Sequence, residues 1–510
     1  MSPSLRGLAL GLLALAAGAL HALSFAPWER PWLQVLALAL LFALTTRVER
    51  PRVAARLGFL FGLGWFGVGV SWVYISMHVY GQMPALLAGA ATAAFCAFLA
   101  LYPALALGVA QRVAPTPFLR LALALPATWA LSEWLRGTLF TGFPWLASGY
   151  AHTDGPLAGF APVLGVYGIG LVAALLAGAL ALFALPLRQR GWRGYAWAAG
   201  VLVVALAGGA LIGPLRWTQP IGAPLKVRLV QANIPQDAKF TSAGLRRAFE
   251  EHWALMQGPR VDLVALPESV FPVPLGFVPE EALEAFRTFV QENDSGLIFG
   301  VFIEEPAMAY YNSAVGLTPG APAWQRYSKQ HLVPFGEFIP WGFRWFVDLM
   351  QMPIGDQERG AADQRPMATA GQRIAVNICY EDLFGHVIRR AWSDPAHAPT
   401  MMLNLSNLAW FEDSIALPQH LQISRLRTLE TQLPMLRATN TGATAIVDAR
   451  GRVVAQLPFN TAGALDGTVQ GHHGRTPYIR YGNAPALVIS VIVLLFAAAV
   501  ARAGRRRSAQ

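Results

Sequence analysis

Only two cysteines occur in the 510 residues, and one of them, Cys379, closes the apolar run of "VNICYED" at 376 to 382. A strand end holds a side chain rigidly while the loop beyond it admits a reactant, and two more reactive groups share that setting. Glu268 follows "VDLVALP", and Lys329 lies within "RYSKQHLVPFGEFIP". Taken singly, these are a loop acid, a surface charge and a small buried hydrophobe. Lysine usage changes the weighting: of 39 basic side chains only Lys226, Lys239 and Lys329 are lysines, leaving 36 arginines. A compact ammonium can point at a thiolate or a developing oxyanion, which a wide guanidinium fork does poorly. A carboxylate to take a proton, an ammonium to hold negative charge and a thiol to attack make a complete acyl-transfer site.

The elements that must position these groups divide into two kinds. Hydrophobic residues make up 55% of the chain and charged ones 13%, a balance that predicts a largely membrane-embedded protein. Apolar runs long enough to span a bilayer fall at about 5 to 25, 31 to 46, 57 to 77, 84 to 110, 118 to 135, 158 to 187, 195 to 214 and 484 to 501. The first competes with a cleavable signal peptide, but it is long and runs on into a second apolar segment, which favours a retained span. Cys96 sits inside the fourth run as a small hydrophobe, so neither cysteine implies a disulfide. Glu133 and Arg136, three residues apart in the fifth run, can pair on one helix face, as a functional site or as a satisfied ion pair.

Arginine asymmetry orients the spans. Arg6, Arg47, Arg50, Arg52, Arg56, Arg112, Arg120, Arg188, Arg190, Arg193, Arg502, Arg505, Arg506 and Arg507 fall on one side, and Arg30, Arg136 and Arg216 on the other. Both termini are therefore expected in the cytoplasm, and residues 217 to 483 outside, which in a bacterium is the periplasm. That outer region holds 22 basic and 25 acidic residues, so the net charge of +10 belongs to the membrane loops and excludes a nucleic-acid role. The expected domains are 1 to 216 with seven spans, 217 to 483, and 484 to 510 with the eighth span and a basic tail. "RWTQPIGAP" reads as the linker between the first two. Within 217 to 483, β-branched runs such as "KVRLVQANI", "GLIFGVFIEE", "RIAVNICYE", "TMMLNLSN" and "ATAIVDARGRVVAQL" alternate with helical stretches such as "PEEALEAFRTFVQEN" and "LPQHLQISRLRTLETQ". The pattern predicts an α/β domain with helices on sheet faces.

"LPES" with Glu268, "YSKQHLVPFGEFIP" with Lys329 and Glu337, and "NICYED" with Cys379 resemble the three signature segments of the carbon-nitrogen hydrolase, or nitrilase, superfamily. "QANIPQ", "SNLAWF" and "RATNTGATAIVDARG" fit as well, over about 226 to 470. With the flanking spans and "SEWLRGTLFTGFPWLASGY", the chain is similar to the superfamily's membrane-bound branch, the apolipoprotein N-acyltransferases. "SNLAWFE" departs from that family's frequent "SNDAWFG" at Leu408 and Glu412. The resemblance implies an αββα sandwich and a triad of Glu268, Lys329 and Cys379 supported by Glu337, Tyr380 and Glu381. It implies a membrane phospholipid as acyl donor and a diacylglyceryl apolipoprotein as acceptor. It implies no cofactor, a monomer and a place in the bacterial inner membrane. His472 and His473 lack partners at ligand spacing, so no metal site is expected. Trp341, Phe343, Trp345 and Phe346, in a loop broken up by Pro340 and Gly342, are candidate lipid or acceptor contacts, as are Asn407 and Trp410. A membrane-anchored amidase would use the same triad but leave the spans without a task. A transporter or receptor with an inert outer domain would need ionisable residues along a membrane path, and apart from Glu133 and Arg136 the spans offer almost none.

The arginine count sets one test. A reporter fused after Gly482 should be periplasmic and one fused after Gln510 cytoplasmic; both on the same side would refute the eight-span topology.

Overall fold

The computed structural model describes residues 3–236, 242–306, 309–321, 323–345 and 356–508. They group into two compact units: 1–74 with 84–215 and 480–510, and 75–83 with 216–479.

The first unit is helical, with helices in all eight apolar windows. By length and composition, five described helices suffice to cross a membrane: Leu5–Ala22, Ala85–Val113, Pro156–Ala184, Leu187–Ile212 and Ala484–Gly504. A sixth is Pro51–Gly69 with Val73–Tyr80, bent by 65° at the break between them. The continuous span expected at 57 to 77 is thus broken. At the break, a side chain on Gly69 would meet Leu146 Cδ1 at 2.2 Å, and Val70 leaves helical geometry. Pro31–Arg47 is a shorter apolar helix, and the fifth window carries Arg120 and Glu133, with Arg136 just beyond its end. Cys96 is buried in the Ala85–Val113 helix, as a small hydrophobe would be.

Apolar surface gives no net drive between helices in lipid, so close backbone approach must supply the packing. Pro51–Gly69 packs against both Pro3–Ala22 and Ala85–Val113. A Cβ at Gly18 would fall 1.9 Å from the Phe61 carbonyl oxygen, and one at Gly64 would fall 2.1 Å from that of Leu15. The two glycines therefore let the first and third helices touch backbone to backbone. Elsewhere in this unit Glu133 and Arg136 are buried and 3.7 Å apart. Arg136 donates to the carbonyls of Phe143 and Trp145 at 2.6 and 2.7 Å, and Glu133 accepts from the backbone and hydroxyl of Ser148 at 2.8 and 2.9 Å. The pair pins the 143–148 loop to its helix.

The second unit contains two mixed sheets. The first runs, in spatial order, Gly463–Val469, Leu225–Gln231, Leu263–Ala265, Gly296–Glu305, Ala309–Leu317 and Gln325–Ser328, with Phe271–Pro274 beside Gly296–Glu305. The second runs Val453–Gln456, Ala445–Val447, Met435–Thr439, Met401–Ser406, Gln372–Ile378 and Met367–Thr369. Each has three adjacent parallel strands at its centre and antiparallel strands at its flanks. Strand alternation explains the layering. Leu225, Val227 and Leu229 of one sheet and Ile374, Val376, Ile378, Leu403 and Leu405 of the other share one core between the sheets. The opposite faces carry helices: Phe286 and Val290 of Glu280–Asn293 pack with Leu297 and Phe299, and Leu421 of Ala416–Thr431 packs with Met402 and Met435. The expected linker at 216–224 is partly a strand, since Thr218–Pro220 pairs antiparallel with His472–Gly474. His472 Nδ1 there lies 3.2 Å from Thr218 Oγ1.

Replacing Gly18 or Gly64 by leucine should force the first and third helices apart. We expect a loss of roughly 1–3 kcal/mol, the usual cost of overpacking, read as a lower unfolding temperature in detergent. Wild-type stability in both variants would rule out the close contact.

Candidate active site

Glu268, Lys329 and Cys379 each follow the C-terminal end of a strand: Leu263–Ala265, Gln325–Ser328 and Gln372–Ile378. Glu268 and Lys329 thus come from the first sheet and Cys379 from the second. Lys329 has 1% of its area exposed, and its ammonium sits 2.6 Å from Glu337 Oε1 and 3.6 Å from Glu268 Oε1. Burial alone would lower the lysine pKa, but the carboxylates of Glu337 and Glu268 and the nearby Cys379 outweigh it, so the ammonium is held firmly protonated.

The two acids are not equivalent. Glu337 makes the closer contact to Lys329, and its other oxygen accepts from the Val333 N–H at 2.8 Å. Glu268 accepts from the Asn407 N–H at 2.9 Å through one oxygen and from Asn312 Nδ2 at 2.7 Å through the other. A carboxylate offers about four lone-pair positions, so Glu268 keeps capacity to take up a proton. Asn312, which sequence reasoning missed, donates to both acids, reaching Glu337 Oε1 at 3.0 Å. Its signal was only a polar residue inside the strand "YYNSAVGL".

Cys379 is a free, partly exposed thiol whose backbone is left-handed, with φ +51°. By strand alternation its side chain would share the outer face with Ala375 and Asn377. The positive φ turns it instead against the core between the sheets. Such a conformation costs a non-glycine residue about 1–2 kcal/mol. Desolvation and the Glu268 carboxylate push the thiol well above the ordinary cysteine range, and Lys329 opposes them without cancelling the shift. The resting residue is therefore a protonated thiol that needs a base at the moment of attack.

Glu381 stands apart from the ion cluster and serves the backbone. Its carboxylate accepts from the N–H groups of Ile378, Gln330 and His331 at 2.8, 2.6 and 3.1 Å, and from the Tyr327 hydroxyl at 2.9 Å. It thereby ties the turn that carries Cys379 to the loop that carries Lys329. Tyr380 is buried, with its ring edge-on to Phe384.

Asn407 is buried and reaches Gln236 Oε1 at 2.8 Å. Trp410 is exposed at its ring, and its carbonyl accepts from Ser76 Oγ at 2.9 Å while Tyr80 lies edge-on to it. The 75–83 segment, sequence-distant from this domain, thus packs beside the "SNLAWF" loop. Trp341 is 99% exposed and Trp345 65%; Phe343 is also exposed, edge-on to Phe335. Phe346 lies outside the described residues.

Alkylation of Cys379 separates the two charges that act on it. Glu268→Gln removes a negative neighbour, so the thiol pKa should fall and iodoacetamide labelling should move to lower pH. Lys329→Met should shift the labelling profile the other way and slow it on the order of tenfold at fixed pH. Equal profiles in both variants would mean that neither charge faces the thiol.

Residues 226–478 match the carbon-nitrogen hydrolase family, and residues 17–179 match the apolipoprotein N-acyltransferase N-terminal domain. The apolipoprotein N-acyltransferase of Ralstonia nicotianae is 51% identical over 500 residues, covering 97% of this chain and 94% of the relative. That of Bordetella bronchiseptica is 45% identical, covering 96% and 97%, and that of Nitrosomonas europaea is 42% identical, covering 97% and 98%. With both domain types in order and relatives of such identity along nearly its whole length, the chain belongs to the apolipoprotein N-acyltransferase family.

Proposed function

We propose that this protein moves an acyl chain from a membrane phospholipid, through a thioester on Cys379, to the N-terminal amine of the diacylglyceryl cysteine of an apolipoprotein. The observation that carries the reading is the buried Lys329 ammonium, held by Glu337 and shared with Glu268, whose charges act on a protonated Cys379 thiol. Family membership supplies the acceptor class.

In the first half, Glu268 takes the Sγ proton as sulfur attacks the ester carbonyl of the lipid. Lys329 and the N–H following Cys379 stabilise the oxyanion. The C–O bond then breaks, and the lysophospholipid leaves with the proton from Glu268. In the second half the acceptor amine attacks the thioester, Glu268 receives the amine proton, and the C–S bond breaks. The sulfur regains that proton, leaving an amide and the original thiol. Glu337 pairs tightly with Lys329 and keeps it charged, which leaves the more loosely paired Glu268 as the proton carrier.

Both substrates reside in a bilayer, so the site must meet the lipid surface. We read the eight apolar windows as eight spans of the bacterial inner membrane, with both termini cytoplasmic and residues 217 to 483 periplasmic, acting as a monomer. Fourteen arginines against three support that orientation. The exposed rings of Trp341, Phe343 and Trp345 suit the headgroup boundary and give acyl chains a route to the domain.

Incubating the protein with phospholipid alone should release about one lysophospholipid per enzyme and then stop, with the protein mass raised by one acyl chain. Cys379→Ala should gain no mass. A lipopeptide with a free N-terminal amine should discharge the adduct, whereas its N-acetylated form should not. Continuous release without acceptor would instead identify a hydrolase, and acceptor-dependent release with unchanged mass would exclude the thioester.

A further inference from the structure

The left-handed turn at Cys379 reverses the direction of the thiol, and something must hold it there against its intrinsic cost. Glu381 restrains the turn from the side of the first sheet. On the other side lies a second buried charge cluster outside the ion triad, which joins Asp382 of "NICYED" to Arg437 of "RATNTGATAIVDARG" and to His420 and Ser424.

Asp382, three residues after the thiol, is fully buried, as are His420, Ser424 and Arg437. One Asp382 oxygen accepts from His420 Nε2 at 2.8 Å; the other accepts from Arg437 Nη1 at 3.0 Å and from the Ser424 hydroxyl. Arg437 Nη2 lies 2.9 Å from His420 Nδ1. Arginine only donates, so Nδ1 must accept and the ring proton must sit on Nε2, facing Asp382. The histidine is thus neutral, and the cluster balances one carboxylate against one guanidinium. Desolvation opposes the Asp382 charge, but His420 and Arg437 hold its pKa below the usual carboxylate value.

The cluster is wired to the reactive turn. Asn377, Asn404 and Arg437 lie side by side on three neighbouring parallel strands. Asn404 Nδ2 donates to Asn377 Oδ1 at 2.6 Å and to the Cys379 carbonyl at 3.1 Å. His420 also interacts with that carbonyl. The backbone on the C-terminal side of the thiol is therefore fixed twice, through its own carbonyl and through Asp382.

We propose that Asp382, with His420, Ser424 and Arg437, forms a positioning cluster that holds Cys379 in its left-handed conformation and so aims the thiol at Glu268 and Lys329. It acts through Cys379 and touches neither substrate. The inference rests on the thioester reading above.

Single-turnover acylation by phospholipid tests it in the full-length protein. Asp382→Asn keeps the shape but removes the charge facing Arg437 and puts an NH2 at one of the two oxygen positions, where at least one donor already points. Its acylation rate constant should fall on the order of 30-fold, with little change in the lipid concentration giving half-maximal rate. His420→Ala should behave similarly, while His420→Gln, which can place an N–H on Asp382, should recover most of the rate. Cooperative thermal unfolding in detergent measures the folded fraction of each sample, so rates are expressed per folded Cys379 thiol. If Asp382→Asn acylates at the wild-type rate per thiol, or if His420→Gln is as slow as His420→Ala, the positioning role is overturned. If the asparagine variant does not fold, the two histidine variants decide alone. Absence of any acyl adduct in the wild type would instead refute the thioester reading.

Discussion

Lys329 carries its charge with almost no contact with water, and an ion in that position is tolerated only where opposite charge and hydrogen bonds replace the lost hydration. Glu337 is the principal replacement, Glu268 the second, and Asn312 is the donor that lets two carboxylates approach one ammonium. Those groups come from different strands and loops of the first sheet. The packing of that sheet therefore sets the electrostatics of the site before Cys379 is considered. Removing one partner of such a buried pair typically costs about 3–5 kcal/mol, because the other charge is left buried and uncompensated.

The thiol comes from the other sheet, and strand geometry alone aims it the wrong way. A left-handed residue corrects the direction, and the two acids that follow it have opposite tasks. Glu381 gathers backbone N–H groups from the Lys329 loop, while Asp382 reaches the helix behind its own sheet and Arg437 on a strand of that sheet. Neighbouring carboxylates thus brace one strained turn from its two sides. The strain at this one residue is small beside the stability of a domain this size.

The membrane unit follows a different economy. Its helices approach through glycines, and its buried ion pair, Glu133 and Arg136, is consumed in holding a loop at 143–148. Arg136 also lies over the rings of Trp65 and Phe66, so its remaining surface faces aromatic carbon rather than a polar path. That arrangement fits a scaffold better than a conduit.

Much of this was legible in the amino-acid order. The apolar runs marked helices in all eight windows, and five described helices are long and apolar enough to cross a membrane. The three signature segments marked Glu268, Lys329 and Cys379 because their chemistry is local to a few residues. Several strands escaped, among them Ala309–Leu317, Gln325–Ser328, Met435–Thr439 and Gly463–Val469, and Asn312 was missed with the first of them. Met435–Thr439 shows no alternation because a strand buried on both faces needs no polar side. The break after Gly69 and the grouping of 75–83 with the second unit were invisible for another reason, since each depends on packing against sequence-distant residues, Leu146 and Trp410. The same holds for the division of labour among the acids. Sequence names Glu268, Glu337, Glu381 and Asp382 alike as carboxylates, and only tertiary structure decides which faces an ammonium, which backbone N–H groups and which a buried arginine. A carboxylate's role is set by its neighbours in space, and those neighbours lie from eight to 139 residues away along the chain.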